Sequence, residues 1–324
     1  MQQPVLGEDP FACRFEVPVA GGALQVARAG TPEAERVVLA IHGVTGSLMV
    51  WRTLARELDE RICLLAPDLR GRGRSRKVPG PYGLAVHVAD LIAVLDHVGA
   101  PPAVLVGHSM GAFLALRLAA EHPQRALGVV LLDAGLPFSV PDDTEQFDRA
   151  ISSVAARLAI TYPSADRYIE AWRAHPGFKK AWESDPQAAQ DLEAYARYDM
   201  VGAGHVVRCA SLPAGVHADS KEMLTDDTTR TALERVRAPV QLLRAERGLF
   251  DAEPVVSDDE LEAFAAAYPS VRVEEVADVN HYTLILGPRH GPQRVAAAIE
   301  SYWGAAGPSR KQWEEAGAAP REDW

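Results

Sequence analysis

The chain is poor in cysteine: Cys13, Cys63 and Cys209 are the only three in 324 residues, far apart and at no spacing that suits a zinc site or a redox pair. A disulfide framework is excluded, and the three thiols are expected to be packing residues. A long apolar run is also missing. The most apolar uncharged stretch, 103–116, is broken by Gly107, His108 and Ser109 and falls short of the roughly 18 residues a spanning helix needs, so no membrane association is expected. The opening MQQPVLGEDP lacks the basic start and apolar core of a secretory signal, which makes cytoplasmic the expected location. Positive charge is in deficit, with 33 Lys and Arg against 44 Asp and Glu. That balance argues against nucleic acid as a partner, although Arg70, Arg72, Arg74, Arg76 and Lys77 crowd one segment; the cluster reads as a solvated loop. Ten histidines are scattered without ligand spacing, so no metal is expected.

What the chain does have is a globular balance, 48% hydrophobic and 24% charged residues, in which strand-like apolar runs alternate with helix-like amphipathic ones. A hairpin comes first: residues 11–17 and 24–28 flank Gly21 and Gly22, which suit a tight antiparallel turn. Buried strands are predicted at 36–41, 62–67, 103–106 and 127–132, separated by helices at 51–58, 84–98 and 110–121. From 136 to 233 the alternation stops, with helix-like stretches around Ile151, Tyr168 and Tyr195 and no convincing strand. Strands return at 240–244 and 271–276, with helices at 258–267 and 291–303. The chain therefore reads as an α/β fold, a mostly parallel sheet flanked by helices, with a helical insertion after strand 6. The expected division is a core at 1–136 and 234–303, the insertion at 137–233 and a C-terminal tail at 304–324. Trp313 and Trp324 would let that tail dock on a second copy, so a homo-oligomer stays open.

The informative segment is Gly107-His108-Ser109-Met110-Gly111, which lies between the strand-like AVLV and the helix-forming MGAFLALRLAAEH. A G-x-S-x-G string is common by chance; its value here is that it falls where a strand must turn sharply into a helix. Such a turn exposes the Ser109 hydroxyl at the carboxyl end of the sheet and leaves the amide of Met110, at the helix start, free to donate to a developing oxyanion.

These residues resemble the α/β-hydrolase family, and the likeness runs through nearly the whole chain apart from its ends. His42-Gly43 follows the apolar VVLAI as in the family's oxyanion loop, which implies Val44 as the second amide donor beside Met110. The segment DLRGRGRS at 68–75 matches the family's usual turn. Asn280-His281-Tyr282 follows the last strand, 172 residues beyond Ser109, where the family keeps its base. His42 is expected to orient the oxyanion loop rather than exchange protons. His108 is expected to point into the sheet, and His87, His97, His122 and His290 to be structural.

The acid is the open member of the triad. Most relatives place it in a Gly-x-x-Asp turn after the seventh strand, but VQLLR is followed here by Ala245-Glu246-Arg247-Gly248, with glycine where aspartate is expected. Some haloalkane dehalogenases and the lactonases that open zearalenone carry it directly after the sixth strand. Asp133 fits that seat, 24 residues beyond Ser109 at the end of LGVVLL, where an unpaired buried carboxylate would be costly. Asp251, three residues past the vacant seat, is the alternative.

The resemblance implies a serine hydrolase with catalytic Ser109, His281 and Asp133, an oxyanion hole from Val44 and Met110, and no cofactor. A serine at the elbow argues against the family's epoxide hydrolases and dehalogenases, which use aspartate there. Nine of the chain's 22 aromatic residues fall in 137–233, which suits a cap over a hydrophobic pocket. Phe138, Phe147, Trp172 and Trp182 are among them, with Trp172 and Trp182 the expected substrate contacts. The substrate class that follows is a bulky hydrophobic ester or lactone, in its sharpest form a macrolactone such as zearalenone. Hydrolysis of carbon–carbon bonds in ring-cleavage products, or non-catalytic ligand binding, remain alternatives.

Overall fold

Residues 9–304, apart from 33, 138–155, 157, 204 and 205, are described by a computed structural model. An antiparallel pair, β1 (Cys13–Val19) and β2 (Gly22–Ala29), opens the fold at one edge of an eight-stranded sheet. The parallel strands β3 (Arg36–Ile41), β4 (Ile62–Pro67), β5 (Ala103–His108) and β6 (Ala126–Leu132) follow, and β9 (Val240–Arg247) and β10 (Arg272–Asn280), later in the chain, complete the sheet in the order β1-β2-β4-β3-β5-β6-β9-β10. Alternation along each strand sends side chains to opposite faces. Val37, Leu39 and Ile41 of β3, with Ala103 and Leu105 of β5, join one hydrophobic core, whereas Val38, Ala40, Val104 and Val106 join the other. Both faces must therefore be covered, which is why β4 and β5 are buried at every position.

Helices supply the covers. On the first face lie α2 (Leu84–His97) and α3 (Met110–Glu121), and on the second α1 (Arg52–Glu57). A segment inserted after β6 contains α4 (Ala165–Ala174), α5 (Pro176–Ser184), α6 (Pro186–Tyr198), β7 (Met200–Ala203), β8 (Val206–Cys209), α7 (Pro213–Thr225) and α8 (Asp227–Arg230). The sheet then resumes with β9 (Val240–Arg247), followed by α9 (Asp258–Ala267), β10 (Arg272–Asn280) and α10 (His290–Glu300). The insertion's first helices are short because the sequence stops and restarts them. Ser164, His175 and Asp185 each accept a backbone N–H of the next helix through their side chains, and proline follows His175 and Asp185 at the first helical position.

The predicted fold class is the observed one, with one local difference. β7 and β8 form an antiparallel pair within the insertion, and Tyr162 bridges to Val207 beside it. Strands of four residues are too short to display a period. The stretches around Phe138, Phe147 and Ile151, and the tail carrying Trp313 and Trp324, lie outside the described residues. Among the described residues no helix is long and apolar enough to cross a membrane.

Buried charge fastens the insertion to the core. Asp191 of α6, fully buried, accepts from Arg52, Thr53 and Arg56 of α1. Asp219 of α7 accepts from the backbone of Gly83 and lies against His87 and Arg72. The arginine cluster is solvated only in part: Arg74 and Lys77 are exposed, but Arg70 and Arg72 are buried, Arg70 pairs with Asp90 at 2.8 Å, and Arg72 pairs with Asp219. Sequence reading missed this because each partner lies on another element.

Two buried carboxylates in the same region titrate abnormally. Burial pushes Asp199 up to about 7, although the Tyr168 hydroxyl and the Cys209 thiol donate to it, and pushes Asp68 up to about 6. A carboxyl whose pKa is higher folded than unfolded binds more protons in the folded state, so its contribution to stability falls as pH rises between the two values. For Asp199 that window runs from about 4 to about 7. Asp199→Asn removes the ionisation, so its melting temperature relative to the parent should become more favourable between pH 5 and pH 8; a difference that is flat with pH, or of opposite slope, refutes the assignment.

Candidate active site

At the junction of β5 and α3 the chain reverses through Ser109, whose φ of 56° and ψ of −124° lie in a region that non-glycine residues avoid. The turn is possible because its neighbours have no side chains. A Cβ on Gly107 would overlap the Gly111 carbonyl, and one on Gly111 would overlap the carbonyl oxygen of Ile41 at the end of β3. Ser109 N donates to the Leu132 carbonyl at 3.1 Å, anchoring the turn to β6.

The same close approach brings the loop after β3 over the serine. Gly43 O accepts from His42 Nδ1 at 2.8 Å and from Gly46 N at 3.0 Å, so the Gly43–Val44 peptide is pinned by its carbonyl and the Val44 N–H points the opposite way. The Leu69 amide donates to His42 Nε2 at 2.9 Å, which leaves Nδ1 to carry the proton. Burial lowers the His42 pKa to about 3, so this tautomer is neutral at any working pH. Arg72 Nε donates to Val44 O at 3.0 Å, which links the loop through Asp219 to the insertion. Among the described residues, neither the Val44 nor the Met110 amide has an acceptor on the protein.

Asp133 follows β6 directly, has a φ of 53° and is fully buried. Its Oδ1 accepts from Ala245 N of β9 at 2.9 Å, and its Oδ2 lies 2.7 Å from His281 Nδ1. The loop that carries His281 is stiffened by Asn280, whose Oδ1 accepts from the amides of Tyr282 and Thr283, both at 3.0 Å. Asp251 is engaged elsewhere. It accepts from Arg247 at 2.7 Å and from Asn280 Nδ2 at 3.0 Å, contacts that hold its pKa below the usual carboxylate value. Of the two carboxylates considered for the acid, the structure brings only Asp133 to the histidine.

Ser109, half-buried, and His281 line one cavity of about 280 Å³ together with Val44. No hydrogen bond joins Ser109 Oγ to His281 among the described residues, a looseness common before substrate binds. Trp172 lines this cavity as expected. Trp182 does not: it lies under the Arg173 guanidinium, 5.2 Å from ring centre to Cζ, and packs within the insertion. Helical spacing alone could not tell the two apart.

His108 is a lining residue that sequence reading sent into the sheet. Its Nε2 donates to the His281 carbonyl at 2.8 Å and its ring lies 4.4 Å from that of His281. Burial and the neighbouring His281 hold it well below the usual histidine range, so it is a neutral support for the loop. His175 and Tyr282 also line the cavity; nothing in their local sequence distinguishes them. Chemically, the arrangement offers a hydroxyl on a strained turn, an imidazole backed by a buried carboxylate, and two backbone donors.

A family model described as alpha/beta hydrolase fold matches residues 36–288. The lipase LipV of Mycobacterium tuberculosis is 40% identical over 130 residues, 40% of this chain and 49% of that protein. A haloalkane dehalogenase of Mesorhizobium japonicum is 32% identical over 137 residues, 42% of this chain and 44% of that one. The match spans about half the length of these curated relatives. Among solved structures, E-2-(acetamidomethylene)succinate hydrolase aligns with a TM-score of 0.72 at 22% identity, covering 90% of this chain and 99% of that one.

The packing at the turn yields a direct test. Gly111→Ala should destabilise the fold by about 1–3 kcal/mol, because the added methyl meets rigid backbone on β3. Gly304→Ala, where a Cβ meets nothing closer than 3.7 Å, should stay within about 0.5 kcal/mol. Urea unfolding of both decides it, and equal midpoints would contradict the close approach.

Proposed function

Because the chain belongs to the alpha/beta-hydrolase family, we propose that it is a serine hydrolase that cleaves a carboxylic ester or lactone of a hydrophobic substrate through an acyl-enzyme. The single observation that carries this reading is the 2.7 Å contact between buried Asp133 and His281 Nδ1, in a cavity that His281 shares with the elbow serine. With Nδ1–H held by the carboxylate, Nε2 is the basic nitrogen. It takes the proton of Ser109 as the hydroxyl oxygen attacks the carbonyl carbon, and the oxyanion that forms faces the amides of Val44 and Met110. Collapse of the tetrahedral adduct expels the alcohol, which leaves with the proton from His281. Water then attacks the acyl-enzyme by the same route and frees the acid and Ser109. None of these steps calls on a cofactor.

For the substrate, the aromatic lining of the cavity, with Trp172 and Phe178 among its walls, favours an apolar ester or lactone, and the likeness to a lipase favours ester cleavage. The seat of Asp133 after β6 is the feature shared with zearalenone-type lactonases, so a macrolactone is the sharpest form of the proposal.

A fluorophosphonate should label Ser109 alone, and Ser109→Ala should cost on the order of a millionfold in turnover of an aryl ester. Asp133→Asn should keep the fold and lose up to about ten-thousandfold in kcat, while Asp251→Asn costs little. The reverse order for the two aspartates, with folding checked by circular dichroism, would move the acid to the turn after β9 and remove the lactonase likeness.

A further inference from the structure

Among the described residues two tyrosines are buried, Tyr168 and Tyr195, and they differ in kind; half-buried Tyr198 and Tyr302 behave as Tyr168 does. Tyr168 donates to Asp199 at 2.7 Å, Tyr198 to Asp68 at 2.6 Å, and Tyr302 to the Val129 carbonyl at 2.8 Å. Tyr195 of α6 is 95% buried, yet among the described residues its hydroxyl has no hydrogen-bond partner. Its side chain lines the cavity shared with Ser109 and His281. A buried phenol that lines a binding cavity and has no partner on the protein for its one polar atom suits a ligand atom.

Its surroundings say what kind of ligand. The Tyr195 ring meets Trp172 edge-on at 4.9 Å, and Trp172 lies 5.1 Å from Phe178, which lies 4.6 Å from Tyr282. All four line the cavity. They form an apolar wall that suits a flat or ring-bearing group, interrupted by the Tyr195 hydroxyl. Burial and nearby Asp199 hold the phenol well above its ordinary pKa, so it stays a neutral donor.

We propose that Tyr195 is a specificity-determining residue, whose hydroxyl donates a hydrogen bond to a second oxygen of the substrate, remote from the scissile carbonyl and carried next to an aromatic or similarly flat group. This rests on the serine-hydrolase reading and narrows its substrate class to oxygenated hydrophobic esters or lactones. A plain alkyl or aryl ester would fill the same wall but leave the phenol unpaired, which is the condition under which a site discriminates.

The experiment compares two probes that differ by one carbonyl, naphthyl benzoylpropionate and naphthyl phenylbutyrate. The parent should favour the keto ester in kcat/KM, and Tyr195→Phe, which removes only the hydroxyl, should erase roughly tenfold of that preference. In a Ser109→Ala background the esters stay intact, and quenching of tryptophan fluorescence reads affinity without turnover; adding Tyr195→Phe should weaken the keto ester about tenfold more than its partner. No keto preference in the parent, a preference that survives in Tyr195→Phe, or an equal loss on both probes accompanied by a lower melting temperature would each overturn the proposal. Failure of the hydrolase reading shows separately, as no fluorophosphonate labelling of Ser109 and no turnover of either ester, while the binding comparison still decides Tyr195.

Discussion

Everything at the site depends on how closely the end of β3 and the start of α3 approach each other. With no side chain on Gly111, the helix can begin against the carbonyl of Ile41, and two consequences follow from that single contact. The chain must turn through a strained residue to leave β5, which raises Ser109 toward the cavity. The loop after β3 must then pass directly above it, which puts the Gly43–Val44 peptide beside the hydroxyl. The positions of the Ser109 hydroxyl and of the Val44 and Met110 amides are therefore set by one backbone-to-backbone contact that no side-chain rotation can alter.

Around this contact the protein spends buried charge, and it does so in pairs that cross between the core and the insertion. Asp191 meets Arg52 and Arg56, and Asp219 meets Arg72 and His87. A buried ion pair is weak evidence for stability as such, because desolvation offsets the attraction. Its effect here is directional. Apolar helices can slide on an apolar sheet with little penalty, whereas a carboxylate enclosed with its guanidinium has one acceptable position. The insertion is thereby registered over the elbow, and through Arg72 the registration reaches the Val44 carbonyl.

The framework was legible in the sequence wherever a period or a turn chemistry was strong. The strands 36–41 and 62–67 and the helices 110–121 and 258–267 have the bounds that their patterns indicate, because continuous burial and clear helix ends leave little latitude. Asp133 was legible because the family resemblance offered a seat for the acid after the sixth strand, and because a charge at the end of a buried strand needed a partner. The failures have physical causes too. Arg70 and Arg72 read as solvated with the rest of their segment because a sequence does not display partners as distant as Asp219. Trp182 could not be separated from Trp172 because two aromatics on neighbouring short helices differ only in how those helices pack. His108 was sent into the sheet, since its contact with the His281 carbonyl joins residues 173 positions apart.

The carboxylate of Asp133 touches two things at once: the imidazole of His281 and the amide of Ala245 on the neighbouring strand. The inserted segment leaves the sheet immediately after this residue. Asp133 is thus a rivet between β6 and β9 at the point where the covering segment departs. The Asp133 amide adds a second link there, donating to the Leu243 carbonyl of β9 at 2.8 Å. The carboxylate that holds the His281 imidazole thus also joins the two strands between which the insertion leaves the sheet and returns to it.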